Sequence, residues 1–293
     1  MTAVKVVSVR GEEYDALLRG AGVNLVSRNA QVLLADPQFI TAENLDGVKW
    51  VQCTWAGVEE ADWDVIPPSV PVTNLPGVFG PQIAEFVFGY LLARTQRIPE
   101  RFATRHWDET LPAVLRDTTI GVMGAGSIGE TVATVARVFG MKVVGCRRSG
   151  IPHPLFDEMF AVSDRETFAH GLDHMVAVLP ATQETHGLID GAMFDRMVRG
   201  GTFVNVGRGS TVVTDDVVTA TRSGRLGLAV LDVTEPEPLP DEHPAWHTPN
   251  LVITGHTAAH SRPVDVVQFF VDNLRRFRQG EDLVGVVDRS KGY

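Results

Sequence analysis

Two α/β domains, the larger a doubly wound parallel sheet, are what this sequence predicts, and three observations carry the prediction. Short β-rich runs alternate with helical patterns along almost the whole chain, as crossover connections between parallel strands require. Between two of those runs lies a glycine-rich turn, Gly124-Ala125-Gly126-Ser127-Ile128-Gly129. At 293 residues and 44% hydrophobic content, the chain is also long enough for two cores of ordinary size.

The alternation begins with strand-like runs at 4–9, 31–35, 50–53 and 70–73, a small α/β unit of its own. A long helix starts after Pro81 and carries Ile83, Phe86, Val87, Tyr90, Leu91 and Leu92 on an apolar stripe, ending near Pro99 as a bridge between domains. Strands at 120–123, 142–146, 174–179, 202–206, 227–231 and 251–253 follow, six in all with crossovers. A last helix over 264–277 places Val267, Phe270, Val271 and Leu274 at helical spacing and can fold back on the first unit. The expected architecture is a flavodoxin-like α/β domain of residues 1–95 and 262–293, discontinuous in sequence, and a Rossmann domain of residues 96–261.

The formal net charge of −10 argues against nucleic acid or an anionic membrane surface as partners. Cys53 and Cys146 both lie in apolar strand-like runs, which fits buried thiols in a reducing compartment and implies no metal site. The N-terminal apolar run is too short for a signal peptide, and no stretch reaches the ~18 apolar residues of a membrane span. A soluble cytoplasmic protein is the expectation.

Gly124, Gly126 and Gly129 follow an apolar strand and open an apolar-periodic helix, Ile128, Val132, Val135, Val138 and Phe139. In that context they let the backbone turn tightly, approach a pyrophosphate and pack helix on strand. The helix start, at Ser127 and Ile128, offers N–H groups and a positive dipole end to phosphate. Where an NAD-binding version carries an acid for the ribose 2′-hydroxyl, this chain has Arg147 and Arg148. Guanidinium groups pair with a 2′-phosphate that an acid would repel, so NADP(H) is the preferred cofactor and NAD(H) the alternative.

A nicotinamide cofactor leaves the protein to hold the substrate, polarise its carbonyl and move a proton. Three segments at the carboxyl ends of late strands offer such groups: Asn205-Val206-Gly207-Arg208-Gly209, Asp232 through Pro238, and Thr254 through His260. In this order and spacing they resemble the D-2-hydroxyacid dehydrogenase family, and the resemblance extends over nearly the whole chain. Cys53-Thr54-Trp55-Ala56-Gly57-Val58 is similar to the family's substrate-carboxylate loop, and the segment from Leu179 and Pro180 through Thr185 to its nicotinamide-side loop.

That resemblance implies a catalytic set of Arg208, Glu237 and His256. Glu237 is favoured because it lies five residues past Asp232 and directly precedes Pro238, and Glu235 is the rival acid. Asp232 matches the residue that in this family faces the nicotinamide carboxamide, with Val206 beside the cofactor. Arg208 would clamp carboxylate and carbonyl oxygen, His256 would exchange the proton, and Glu237 would orient the imidazole. The N–H groups around Ala56 and Gly57 would take the remaining carboxylate oxygens, with Trp55 as an apolar wall.

The arginines at 147–148 are shared by members resembling NADP-dependent glyoxylate and hydroxypyruvate reductases. A small 2-ketoacid or 2-hydroxy acid substrate and a homodimer are implied, with His106-Trp107 near the partner. The alternatives are an NAD-dependent phosphoglycerate-type dehydrogenase, which normally carries a further regulatory domain not expected in this sequence, and a nucleotide-sensing scaffold like the family's corepressors. His260 has no role in the family set and reads as a capping or surface residue. His106, His153, His186, His243 and His247 also match no catalytic position.

Overall fold

A computed structural model describes residues 4–291, which form two compact units, one of residues 4–79 and 260–291 and the other of residues 80–259. The first contains β1 (Lys5–Ser8), α1 (Glu12–Gly20), β2 (Asn24–Leu25), β3 (Val32–Ala35), β4 (Trp50–Cys53) and β5 (Val72–Thr73). Its strands are all parallel in the order β2-β1-β3-β4-β5, the flavodoxin-like order. Both faces are covered, so β3 and β4 are buried at every position; β3 reads as a continuous apolar run, and β4 is broken only by the buried Gln52.

The second unit holds α2 (Gly80–Thr95), α3 (Ile98–Ala103), β6 (Thr119–Met123), α4 (Ser127–Val138), β7 (Lys142–Arg147) and β8 (Glu158–Ala161). It continues with α5 (Arg165–Ala169), β9 (His174–Ala177), α6 (Gly191–Arg196), β10 (Gly201–Asn205), α7 (Thr214–Arg222), β11 (Leu226–Leu231) and β12 (Leu251–Ile253). Its parallel sheet runs β12-β11-β10-β9-β6-β7-β8, a Rossmann order with one strand added. The order reverses between β6 and β9, and a crevice forms at the carboxyl ends of strands flanking such a point.

The last helix, α8 (Pro263–Gln279), packs on the first sheet: Phe270 and Phe277 both lie 5.5 Å from the Trp50 ring, and Asn273 Nδ2 donates to Gln52 Oε1 at 3.2 Å. The helix expected as a bridge, α2, clusters instead with the second unit, which moves the boundary from 95/96 to 79/80. Phe88 stacks on Phe139 at 5.2 Å, a Cβ on Gly80 would meet Thr131 Oγ1 at 2.3 Å, and Arg94 donates to the carbonyls of Gly227 and Gly200. Two strands have no counterpart in the sequence expectation, β2 and β8. Among the described residues no helix is long and apolar enough to cross a membrane.

His174 sits within the sheet opposite Ile120 and Thr202, and both its ring nitrogens are buried without a hydrogen-bond partner among the described residues. Burial pushes its pKa down to about 4, against a weaker upward pull from Asp173. The folded form thus binds the proton less readily than the unfolded chain. The contribution to stability is fully present above the unfolded value of ~6.5 and is lost as pH falls toward 4, about 2 kcal/mol by pH 5. Urea titrations of His174→Leu should show a flatter decline between pH 6.5 and 4 than the wild type, with little lost at pH 7 because no hydrogen bond is broken. Parallel declines in the two proteins would contradict this.

Candidate active site

Gly124 turns the chain after β6 with φ +108, and a Cβ there would lie 2.6 Å from the Val178 carbonyl oxygen. A Cβ on Gly129 would stand 2.1 Å from the oxygen of Gly124, so the turn and the first coil of α4 close on each other only as glycines. Gly126, by contrast, is exposed and faces open space, and as N-cap of α4 it has no side chain to cap the helix. The N–H groups of the first turn, including those of Ser127 and Ile128, therefore point out of the switch point without intrahelical partners. An anion that approaches the backbone closely is accommodated there, as the pyrophosphate of a dinucleotide is.

Arg147 and Arg148 end the neighbouring strand. Arg147 Nη2 donates to the carbonyl of Ile151, and its Nε is buried without a hydrogen-bond partner among the described residues. Arg148 Nη2 lies 2.8 Å from Glu184 Oε2. The 180–185 turn is pinned by Thr185, whose Oγ1 donates to the Pro180 carbonyl at 2.6 Å and accepts from the Thr182 N–H at 2.9 Å. This loop was expected on the nicotinamide side. It follows β9, crosses the carboxyl end of β6 and brings Glu184 to the end of β7, because β6 lies between those strands in the sheet.

The three late segments follow β10, β11 and β12, adjacent strands of one sheet. Fully buried Asn205 shapes the first: its Oδ1 accepts from the Gly207 N–H at 3.1 Å and its Nδ2 donates to the Arg208 carbonyl at 3.0 Å. Arg208 Nη1 donates to the Gly207 carbonyl at 2.8 Å. A Cβ on Gly209 would lie 2.0 Å from the Thr234 carbonyl, so this turn presses directly on the loop that carries Glu237.

His256 Nδ1 stands 2.8 Å from Glu237 Oε1, while Glu235 lies with Oε2 3.8 Å from His186 Nδ1. An ionised carboxylate only accepts, so Nδ1 carries the proton and Nε2 is left to face outward. His256 has a left-handed backbone, φ 55. That conformation costs a non-glycine residue on the order of 1–3 kcal/mol and needs support.

Asp232 supplies the support. It is 3% exposed, and its carboxylate accepts from Thr254 Oγ1, the Thr257 N–H at 2.8 Å and the Ala258 N–H at 3.0 Å; its carbonyl accepts from the His256 N–H at 2.8 Å. Asp232 was expected to face the nicotinamide. Both its carboxylate oxygens accept from the 254–258 loop, which supplies the donors that a buried carboxylate needs.

In the first unit the Trp55-Ala56-Gly57 loop is held from both sides. Thr54 Oγ1 donates to buried Asp36, which also pairs with Arg10, and Thr54 O accepts from Ser261 Oγ at 2.7 Å. Asn74 Nδ2 donates to the Ala56 carbonyl at 2.8 Å. These supports join residues far apart in sequence, and no spacing signals them.

A cavity of about 590 Å³ lies at the other end of the Rossmann sheet, where Thr119 and Lys142 begin their strands. It is rimmed by the pairs Lys142–Glu158 and Arg196–Glu166 and holds none of the groups above, so it is set apart from the chemistry.

A dinucleotide-type turn at a switch point, with an arginine, a carboxylate and an imidazole past the ends of β10, β11 and β12, is the arrangement expected of a nicotinamide-dependent dehydrogenase. Residues 88–258 match the NAD binding domain of the D-isomer specific 2-hydroxyacid dehydrogenases. Glyoxylate/hydroxypyruvate reductase A of Klebsiella pneumoniae is 32% identical over 235 residues, 78% of this chain and 75% of that protein. Among solved structures, a D-isomer specific 2-hydroxyacid dehydrogenase family protein from Aeromonas salmonicida has a TM-score of 0.84 at 35% identity, covering 98% of this chain and 99% of that one. The NADPH-dependent glyoxylate/hydroxypyruvate reductase of Sinorhizobium meliloti, solved with NADP and sulfate, has a TM-score of 0.84 at 28% identity over 100% of both chains. The chain belongs to the D-isomer specific 2-hydroxyacid dehydrogenase family and is an NAD(P)-dependent oxidoreductase with a nucleotide-binding domain of that type.

Proposed function

We propose that the protein is a reductase of small 2-ketoacids that prefers NADPH, with glyoxylate or hydroxypyruvate as its substrate type. The observation that carries this reading is the His256–Glu237 pair at 2.8 Å beside the Arg208 turn. Arg208 holds the substrate's carboxylate and carbonyl oxygen in its planar fork and stabilises the charge that grows on that oxygen. His256 delivers a proton from Nε2 to the carbonyl oxygen, while Glu237 keeps the ring in register through Nδ1. In the first unit, the N–H groups of Ala56 and Gly57 have no protein acceptor among the described residues and can donate to a substrate carboxylate, with Trp55 beside them in the chain as an apolar wall. The bound nicotinamide supplies the hydride.

For the cofactor, the turn from Gly124 to Gly129 holds the pyrophosphate, and Arg147 and Arg148 receive a 2′-phosphate. Pro180, Thr185, Val206 and Asp232 line the remaining surface. The reductase from Sinorhizobium meliloti, named NADPH-dependent and solved with NADP, supports that preference. Two free, buried thiols fit a reducing cytoplasm. Phe102, Trp107 and Leu111, each more than three-quarters exposed on one short segment, support a homodimer joined there.

Initial rates for a panel of 2-ketoacids with NADPH and NADH test the proposal. Reduction of glyoxylate or hydroxypyruvate, faster with NADPH at equal concentration, is expected. Turnover with NADH alone would point to the phosphoglycerate-type alternative, and tight nucleotide binding without turnover to a sensing scaffold.

A further inference from the structure

The Arg148–Glu184 pair raises a question that the arginines alone do not. Position 147 lacks the acid that would accept a ribose 2′-hydroxyl, yet an acid reaches the same strand end from another loop. Resting on the reading of Arg147 and Arg148 as the 2′-phosphate residues, we infer that Glu184 is a specificity-determining residue: it pairs with Arg148 when a 2′-hydroxyl is present and is displaced by a 2′-phosphate.

The turn that carries Glu184 and the side chain of Arg147 are held in place, while the Arg148–Glu184 pair stands partly in solvent. The Glu184 turn is pinned through Thr185, and the neighbouring Arg147 is tied to the Ile151 carbonyl. The side chains of Arg148 and Glu184 are 49% and 69% exposed. A solvated pair of this kind is held by no more than about a five-fold factor in equilibrium, so a better anion can separate it. A phosphate monoester carries nearly two charges and three acceptor oxygens, and guanidinium pairs with it more strongly than with one carboxylate.

Because its turn is pinned, Glu184 stays near Arg148 even when the pair is parted, and its charge opposes a phosphate held by that arginine. With a 2′-hydroxyl there is no repulsion. The carboxylate has about four acceptor positions, enough to keep Arg148 and also receive a ribose hydroxyl. The local charge, two arginines against one glutamate, thus serves both cofactors with a moderate bias toward the phosphorylated one.

Calorimetric titration of the unreacting probes 2′,5′-ADP and 5′-ADP measures this without turnover. Glu184→Gln is expected to tighten 2′,5′-ADP about five-fold and to weaken or leave unchanged 5′-ADP, raising the ratio of the two affinities. Arg148→Ala is expected to weaken 2′,5′-ADP at least about ten-fold with little effect on 5′-ADP. If Arg148→Ala behaves so and Glu184→Gln leaves the ratio within two-fold of wild type, the role of Glu184 is overturned and the arginine reading stands. If Arg147→Ala and Arg148→Ala both leave 2′,5′-ADP binding unchanged, the arginine reading falls, and the inference with it.

Discussion

Replacing Arg208 by alanine is expected to lower kcat/KM for the 2-ketoacid about 10³-fold while leaving the fold and NADP binding intact. Two hydrogen bonds from a guanidinium to a carboxylate or developing oxyanion are lost, each contributing about 1.5–3 kcal/mol. The nucleotide turn is untouched, since Gly124 to Gly129 lies on β6 and α4 and the Arg208 turn is shaped by the side chain of Asn205. Arg208→Lys should recover only part of the rate, because an ammonium restores the charge but not the fork. Steady-state kinetics with tryptophan-fluorescence titration of NADP separates the outcomes. A large loss of NADP affinity with kcat preserved would remove Arg208 from the substrate site.

His256→Gln is expected to reduce kcat at least about 100-fold, the size of effect lost with a general acid. Glutamine can keep a hydrogen bond toward Glu237 but cannot deliver a proton. The limb of the pH–rate profile at which the donor loses its proton should vanish with it. Glu237→Gln should give a smaller loss, and the double variant should lose little more than His256→Gln alone, because the two side chains act as a unit through one 2.8 Å contact. A near-normal rate for His256→Gln would move proton delivery to another group.

Much of this architecture is written locally. A strand such as β3 is apolar and buried at every position, so it stands out as an apolar run whatever surrounds it. The strands that escaped are the ones without such runs: β2 has two residues, and β8 is an edge strand with no fully buried position. The apolar stripe of α2 announces a buried helix but not its partner, which is decided by contacts such as Phe88 with Phe139.

In the candidate site, the segments of Arg208, Glu237 and His256 can each be placed just past a strand, but singly none of them stands out, and it is their order and spacing together that resemble the family's. The groups that hold them are not legible in this way. Asp232 is expected at the cofactor, and its hydrogen bonds to the loop of a left-handed histidine join segments far apart in sequence that no spacing signals. Glu184 is an exposed loop residue in sequence, and the strand order alone brings it to Arg148.

The central claim is that these side chains reduce the carbonyl of a 2-ketoacid by transfer of hydrogen from NADPH. Single-turnover reaction of glyoxylate with NADPH deuterated at C4, made in both stereochemical forms and followed by mass spectrometry, tests it most directly. One of the two forms should give glycolate carrying one deuterium at C2, with no transfer in Arg208→Ala on the same timescale. Unlabelled product from both forms, or no product at all from a protein that binds NADP, would contradict the account.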